Sequence, residues 1–181
     1  MLKRKITQQL INWKTSSEKA MLITGARQIG KSYAIREFAK QEYQTYVEIN
    51  LYDNKAAAKA LLTASSMDDF LSRLSLFAQT DMIPGNTLIF IDEMQEAPDI
   101  MTMVKFLVQD GRFDYIFSGS MLGTEFKGVR SYPVGYVTER TMRLWILKSF
   151  VGRSAYVKQH WKPYVNAAKT KAPLMKPCMM R

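Results

Sequence analysis

Eight consecutive residues, Gly25-Ala26-Arg27-Gln28-Ile29-Gly30-Lys31-Ser32, satisfy the spacing G-x-x-x-x-G-K-[ST] in full. That spacing suits a loop that wraps a phosphate. Its backbone amides must turn inward, so Gly25 and Gly30 stand where a Cβ would obstruct. A helix opening at Lys31 would aim its N-terminal amides and dipole at the anion. Lys31 is expected to reach the β- and γ-phosphates of a nucleotide, and the Ser32 hydroxyl to ligate Mg2+. A glycine-rich turn arising by chance is the bland alternative. The apolar run Met21–Thr24 before the motif and the helical pattern after it weigh against that.

A second constellation is Leu88-Ile89-Phe90-Ile91-Asp92-Glu93, an apolar run that ends in two acids. As a buried strand it would deliver both carboxylates to the carboxyl edge of a sheet, where open α/β folds bind ligands. Asp92 is expected to hold Mg2+, directly or through water, and Glu93 to polarise an attacking water. A carboxylate next to the Asp favours hydrolysis over simple phosphate transfer, because it supplies a base. A P-loop kinase acting on a small molecule is the competing enzyme reading, and the Asp-Glu pair argues against it. The third constellation is Tyr115-Ile116-Phe117-Ser118-Gly119-Ser120, whose small polar end could bring the hydroxyl of Ser118 or Ser120 to the γ-phosphate. An ordinary Ser/Gly turn is its plain alternative.

These residues need strands to carry them and helices to cover the strands. Residues 6–13 place apolar side chains at helical spacing, Met21–Thr24 suits a short buried strand, and Tyr33, Ile35 and Phe38 mark a helix from Lys31. Tyr46–Leu51 alternates as a strand does. Ala56–Leu62 and Met67–Phe77 read as helices, the second capped by Ser65 or Ser66, and Pro84-Gly85-Asn86 as a turn. Leu88–Ile91 is a buried strand, Asp99–Val108 a helix and Tyr115–Ser118 a strand. Strands separated by helical segments imply an α/β fold: a parallel sheet flanked by helices on both faces, the core of a P-loop NTPase.

Together GARQIGKS at 25–32, FIDEMQEAP at 90–98 and DYIFSGSMLG at 114–123 resemble the prokaryotic AAA-type ATP-binding proteins, which carry an N-terminal ATPase domain and a poorly characterised C-terminal domain. Lys3-Arg4-Lys5-Ile6, Trp13 and Tyr132-Pro133-Val134-Gly135 fit the same pattern. The resemblance covers residues 1–142. It implies ATP and Mg2+ as ligands, phosphate binding by Lys31 and Ser32, Mg2+ coordination by Asp92, Glu93 as catalytic base, and Ser118 or Ser120 at a sensor position. It also implies an arginine borrowed from a neighbouring subunit, hence a homo-oligomer. No arginine of this chain is assigned to that task; Arg130 and Arg140 read as solvated surface residues.

Composition bounds the rest. The chain has 181 residues, 47% of them hydrophobic and 23% charged, which is ordinary for a globular protein. A lone cysteine, Cys178, allows no disulfide framework, and His160 with Cys178 is a poor metal pair. No apolar run reaches a membrane-spanning length of roughly 18 residues and no secretory leader is evident, so a cytoplasmic location is the default. The formal net charge of +10 is unevenly placed: nine of the 26 Lys and Arg, and none of the 16 acids, fall in residues 143–181. A basic tail with Trp145, Tyr156, Trp161 and Tyr164 interleaved could contact phosphates and stack bases, which is the nucleic-acid-binding alternative. A cationic tail without a partner is the plain one.

The resemblance stops where the acids do. Relatives continue after the Val-Gly segment with Pro-Leu-Asp-Phe-Glu-Glu-Phe or something close to it, whereas this chain reads Arg143-Leu144-Trp145-Ile146-Leu147-Lys148-Ser149-Phe150. Joining the third base of each codon to the first two of the next allows that peptide, and forces Glu from Trp161-Lys162 and again from Met175-Lys176. The expectation is that residues from about 143 onward are a frameshifted, prematurely ended translation. Sequencing the gene checks it: codons that spell the acidic peptide in the shifted frame are the expected result, and any other peptide overturns it.

Overall fold

The computed structural model describes residues 5–120 and 132–143. Helix α1 (Lys5–Ser16) is followed by strand β1 (Ala20–Gly25), helix α2 (Lys31–Glu42), strand β2 (Thr45–Asn50) and helices α3 (Lys55–Leu62) and α4 (Met67–Phe77). Then come strand β3 (Thr87–Asp92), 3-10 turns at Met94–Glu96 and Pro98–Met103, helix α5 (Val104–Asp110), strand β4 (Asp114–Ser120) and strand β5 (Val137–Met142). All strand pairs are parallel, in the order β2-β3-β4-β1-β5. The fold is therefore the α/β arrangement that the alternation of patterns implies.

Parallel strands covered on both faces read as unbroken apolar runs, and β3 is the extreme case: all six residues of Thr87–Asp92 are buried. Alternate side chains go to opposite layers. Ile89 and Ile91 of β3, Leu22 of β1 and Phe117 of β4 join α3, α4 and α5 in one core. Leu88 and Phe90, Met21 and Ile23, and Ile116 join α1 and α2 in the other. Each of these Leu, Ile and Phe side chains contributes about 1.5–3 kcal/mol by leaving water. The layers are also tied at their ends: the Tyr43 hydroxyl after α2 donates to Asp114 Oδ2 at 2.6 Å, and Trp13 Nε1 of α1 donates to the Lys19 carbonyl at 2.6 Å.

Most predicted elements are present with ends shifted by one to three residues, and Ser66 rather than Ser65 is the cap of α4, its hydroxyl accepting from Asp69 N at 3.2 Å. Two elements differ. The helix expected over Asp99–Val108 is 3-10 as far as Met103 and α-helical only from Val104. Pro98 opens it, and the Thr102 hydroxyl donates to the Asp99 carbonyl at 2.7 Å, a back-bond three residues long that suits the tighter winding. Strand β5 was not expected at all. Val-Thr-Glu-Arg-Thr-Met is mostly polar and nowhere buried, and pairing with the open side of β1 makes it a strand, with register running from Ala20↔Val137 to Gly25↔Met142. The irregular tail expected over 143–181, its frameshift and its aromatic and basic residues lie outside the described residues, apart from Arg143. Among the described residues no helix is long and apolar enough to cross a membrane.

Tyr115 of β4 is 1% exposed, and its hydroxyl finds no hydrogen-bond partner among the described residues. Burial holds its phenol above the ordinary 10. Above that pH the unfolded chain ionises this phenol while the folded chain keeps it neutral. The unfolded state then binds fewer protons, and stability falls as pH rises. Tyr115→Phe is expected to leave stability near pH 7 unchanged or up to ~1 kcal/mol higher, since an orphaned hydroxyl is removed. Above pH 10 it should flatten the alkaline fall by as much as ~1.4 kcal/mol per pH unit. Denaturant midpoints of the two proteins near neutrality and near pH 10.5 check both parts.

Candidate phosphate-binding site

The strand order determines which ends meet. β4 lies between β1 and β3, so the carboxyl end of β4 separates the loop after β1 from the acids after β3. Gly25 is level with Ser120, and Ile91 with Phe117, which sets Asp92 beside Ser118.

The loop from Gly25 to Gly30 leaves β1 and enters α2 without a side-chain cap. Gly30 takes φ 85°, and Gln28 takes φ 61°, an unusual value for a residue with a Cβ. Gly25 is needed for space. A Cβ there would collide with the Met142 carbonyl of β5 and with the Ile29 side chain packed under the loop, at a φ of 154°. Ala26, Arg27 and Gln28 are exposed, whereas Ile29 is buried. The uncapped N-terminus of α2 leaves its first amides free of side-chain acceptors, the condition under which a helix start binds an anion.

Lys31 is 6% exposed, and its ammonium donates to the carbonyls of Gly25 and Ala26, each at 3.0 Å. Desolvation lowers its pKa; the nearby Glu93 and Asp92 carboxylates pull the other way, and Arg27 adds a small repulsion. Asp92 is 3% exposed. Its Oδ2 accepts from Ser32 Oγ at 2.6 Å, and its Oδ1 accepts from the Ser118 hydroxyl and from the Glu93 backbone amide at 2.9 Å. No salt bridge among the described residues includes Asp92. One buried carboxylate thus joins the start of α2, the end of β3 and the end of β4.

Glu93 follows with φ 57° and ψ 47°; it and Gln28 are the two non-glycine residues with positive φ among those described. Such conformations cost of order 1–3 kcal/mol and concentrate at functional sites. The 3-10 turn after Glu93 brings Gln95 back beside it. Gln95 Nε2 donates to Glu93 Oε2, and Gln95 Oε1 accepts from the Ser120 backbone amide at 3.1 Å.

Of the residues singled out in the sequence, Lys31, Ser32, Asp92, Glu93, Ser118 and Ser120 therefore converge at one sheet edge. The two serines are not equivalent there: Ser118 is fully buried with its hydroxyl on Asp92, and Ser120 joins through its backbone amide. Arg140 is exposed in β5, and Arg130 lies outside the described residues. Three features were not anticipated: the left-handed backbone at Gln28 and Glu93, the Met142 carbonyl that closes over Gly25, and the bridging role of Gln95. Only the last had a visible signal, a glutamine two positions past the acid pair.

A glycine-rich loop opening a helix after β1 and an acid pair after β3, on either side of β4 in a parallel sheet, are the arrangement of a nucleotide-binding class of domain. An AAA-domain family model matches residues 17–151. The chain belongs to that family of nucleotide-binding ATPase domains. No curated protein matches the chain closely enough to count as a relative. Among solved structures it is similar to C. elegans PCH-2, at 12% identity and a TM-score of 0.41 over 77% of this chain and 39% of that one. It is also similar to Drosophila ORC bound to DNA, at 16% identity and 0.45 over 84% and 44%. This chain thus spans less than half the length of either. Likenesses this distant say nothing about function.

Because Gly25 is pinned between β5 and Ile29, Gly25→Ala should force strand and loop apart and lower stability by about 2–4 kcal/mol. Chemical denaturation of the variant beside the parent measures this, and an unchanged midpoint would show that β5 yields without cost.

Proposed function

We propose that this domain binds Mg-ATP in the loop Gly25–Ser32 and hydrolyses it, with Glu93 as the base for the attacking water. The observation that carries the reading is the Asp92 carboxylate with the Ser32 hydroxyl on one oxygen and the Ser118 hydroxyl on the other, beside a lysine held inside the loop.

The donor set fits Mg2+. It offers a hydroxyl and a buried carboxylate side by side, and among the described residues no cluster of three His, Cys, Asp or Glu competes for the ion. An ion held by one or two oxygens from the protein and completed by phosphates is how Mg2+ is commonly bound. Ser32 and Asp92 would hold it, and bound there it neutralises charge on the phosphate oxygens. Lys31 exchanges its two carbonyl acceptors for phosphate oxygens. Loop amides and the first turn of α2 supply further donors. Ser118 keeps Asp92 oriented, so that Ser32 and Asp92 present their oxygens together. Glu93, one residue beyond, would take a proton from water as that water attacks the terminal phosphorus, while the bond from that phosphorus to the bridging oxygen breaks and ADP leaves with that oxygen. These contributions are positioning and charge stabilisation, which carry most of the catalysis in phosphoryl transfer.

ATP rather than GTP follows from family membership, since no base-reading motif is apparent. Residues 1–142 are read as the ATPase core and 143–181 as a separate basic tail. A second copy of the chain could supply the arginine that this one does not assign.

The test separates binding from turnover. Lys31→Ala is expected to weaken Mg-ATP binding about 100-fold or more by calorimetry. Glu93→Gln should bind within a few-fold of the parent yet lose about 10²–10⁴ in hydrolysis rate. Turnover that survives Glu93→Gln would remove Glu93 as base, and binding that survives Lys31→Ala would remove the loop as the site.

A further inference from the structure

We propose that Gln95 is a positioning residue for hydrolysis: its side-chain amide holds the Glu93 carboxylate in one orientation by anchoring it to the end of β4. This rests on the reading of Glu93 as the base.

The orientation of the Gln95 amide follows from its partners. A backbone N–H can only donate, so the Gln95 oxygen must face Ser120, at 3.1 Å. The Gln95 nitrogen must then face Glu93, and it donates to Oε2. Glu93 Oε1 is left to accept a proton from water. Every link in this chain has a fixed support. Ser120 ends a strand hydrogen-bonded to β1, level with Gly25. Met94, between Glu93 and Gln95, is wholly buried. The 3-10 turn is closed by Glu96 N on the Glu93 carbonyl at 3.0 Å. Glu93 is only partly buried and carries three side-chain torsions, so without a donor it would spread over several rotamers. A base aligned with water must not do that, because misplacement by about 1 Å costs as much as ~100-fold in rate. Gln95 also places the base on the same strand end that holds Asp92 through Ser118. Base and Mg2+-binding carboxylate are thereby referred to one element, β4.

The plainer role for Gln95 is to satisfy the last amide of β4 and nothing more. One substitution separates the two. Gln95→Glu keeps an oxygen for Ser120 N–H but replaces the donor facing Glu93 with a second carboxylate. Gln95→Leu removes both bonds at similar size. If Gln95 positions the base, both variants lose about 10- to 100-fold in kcat, KM for Mg-ATP stays within about twofold, and Gln95→Glu costs nothing further once Glu93→Gln is present. If Gln95 only caps β4, Gln95→Glu turns over like the parent, and the proposal is overturned.

An NMR measurement keeps the proposal decidable apart from catalysis. The Gln95 side-chain amide resonance, identified by its loss in Gln95→Glu, should move on Glu93→Ala in the otherwise intact chain. A resonance that stays in place shows that the two side chains do not meet and overturns the proposal whatever the turnover. Absence of Glu93-dependent turnover in the parent, with the resonance moving as expected, instead refutes Glu93 as base and leaves the contact standing without a catalytic role.

Discussion

Asp92 is the constraint around which the domain is organised. A carboxylate that is 3% exposed is costly to bury unless its oxygens are met by donors. Here the donors come from three places far apart in the chain: a hydroxyl at the start of α2, a hydroxyl in β4 and the next backbone amide. For both hydroxyls to arrive, β4 must lie against β3, and the loop after β1 must deliver α2 across the edge of β4. The observed strand order meets that condition, with β1 and β3 on either side of β4. The same geometry gathers the lysine, the two hydroxyls and the acid pair at one edge.

Around that carboxylate the chain departs from local preference in a few defined places. Gln28 and Glu93 adopt left-handed backbone although neither is glycine. Gly25 is held where no side chain fits, beneath a carbonyl of an exposed edge strand. Lys31 is buried with its ammonium on two carbonyls, and desolvation works against its charge. Elsewhere helices are amphipathic, and the central strands β1, β3 and β4 are buried. These departures from local preference cluster at one sheet edge, as strained residues tend to do at functional sites.

Strand β5 illustrates how tertiary context makes structure from an unpromising segment. Its residues are mostly polar and none is buried, yet all six pair with β1, and the Thr24 and Thr141 hydroxyls meet at 3.2 Å. The pairing closes the side of β1 away from β4 and backs the first glycine of the loop. A polar edge strand also offers little apolar surface to another sheet, which limits unwanted edge pairing.

Much of this was legible along the chain. The loop Gly25–Ser32 is a local pattern whose glycines and lysine have a mechanical reason. The buried strands β1, β3 and β4 each contain a short apolar run, and α4 is bounded by its cap. That Asp92 and Glu93 stand at the end of a buried strand follows from the apolar run before them. Periodicity and turn chemistry act over a few residues, so they reveal elements and the residues at their ends. They do not reveal which strand lies beside which. That β4 separates β1 from β3, that Ser118 rather than Ser120 lays its hydroxyl on Asp92, that Gln95 bridges Glu93 to β4, and that Val137–Met142 forms a strand were decided by the tertiary structure. Each depends on pairing between segments distant in sequence, whose energy exists only once the sheet has assembled.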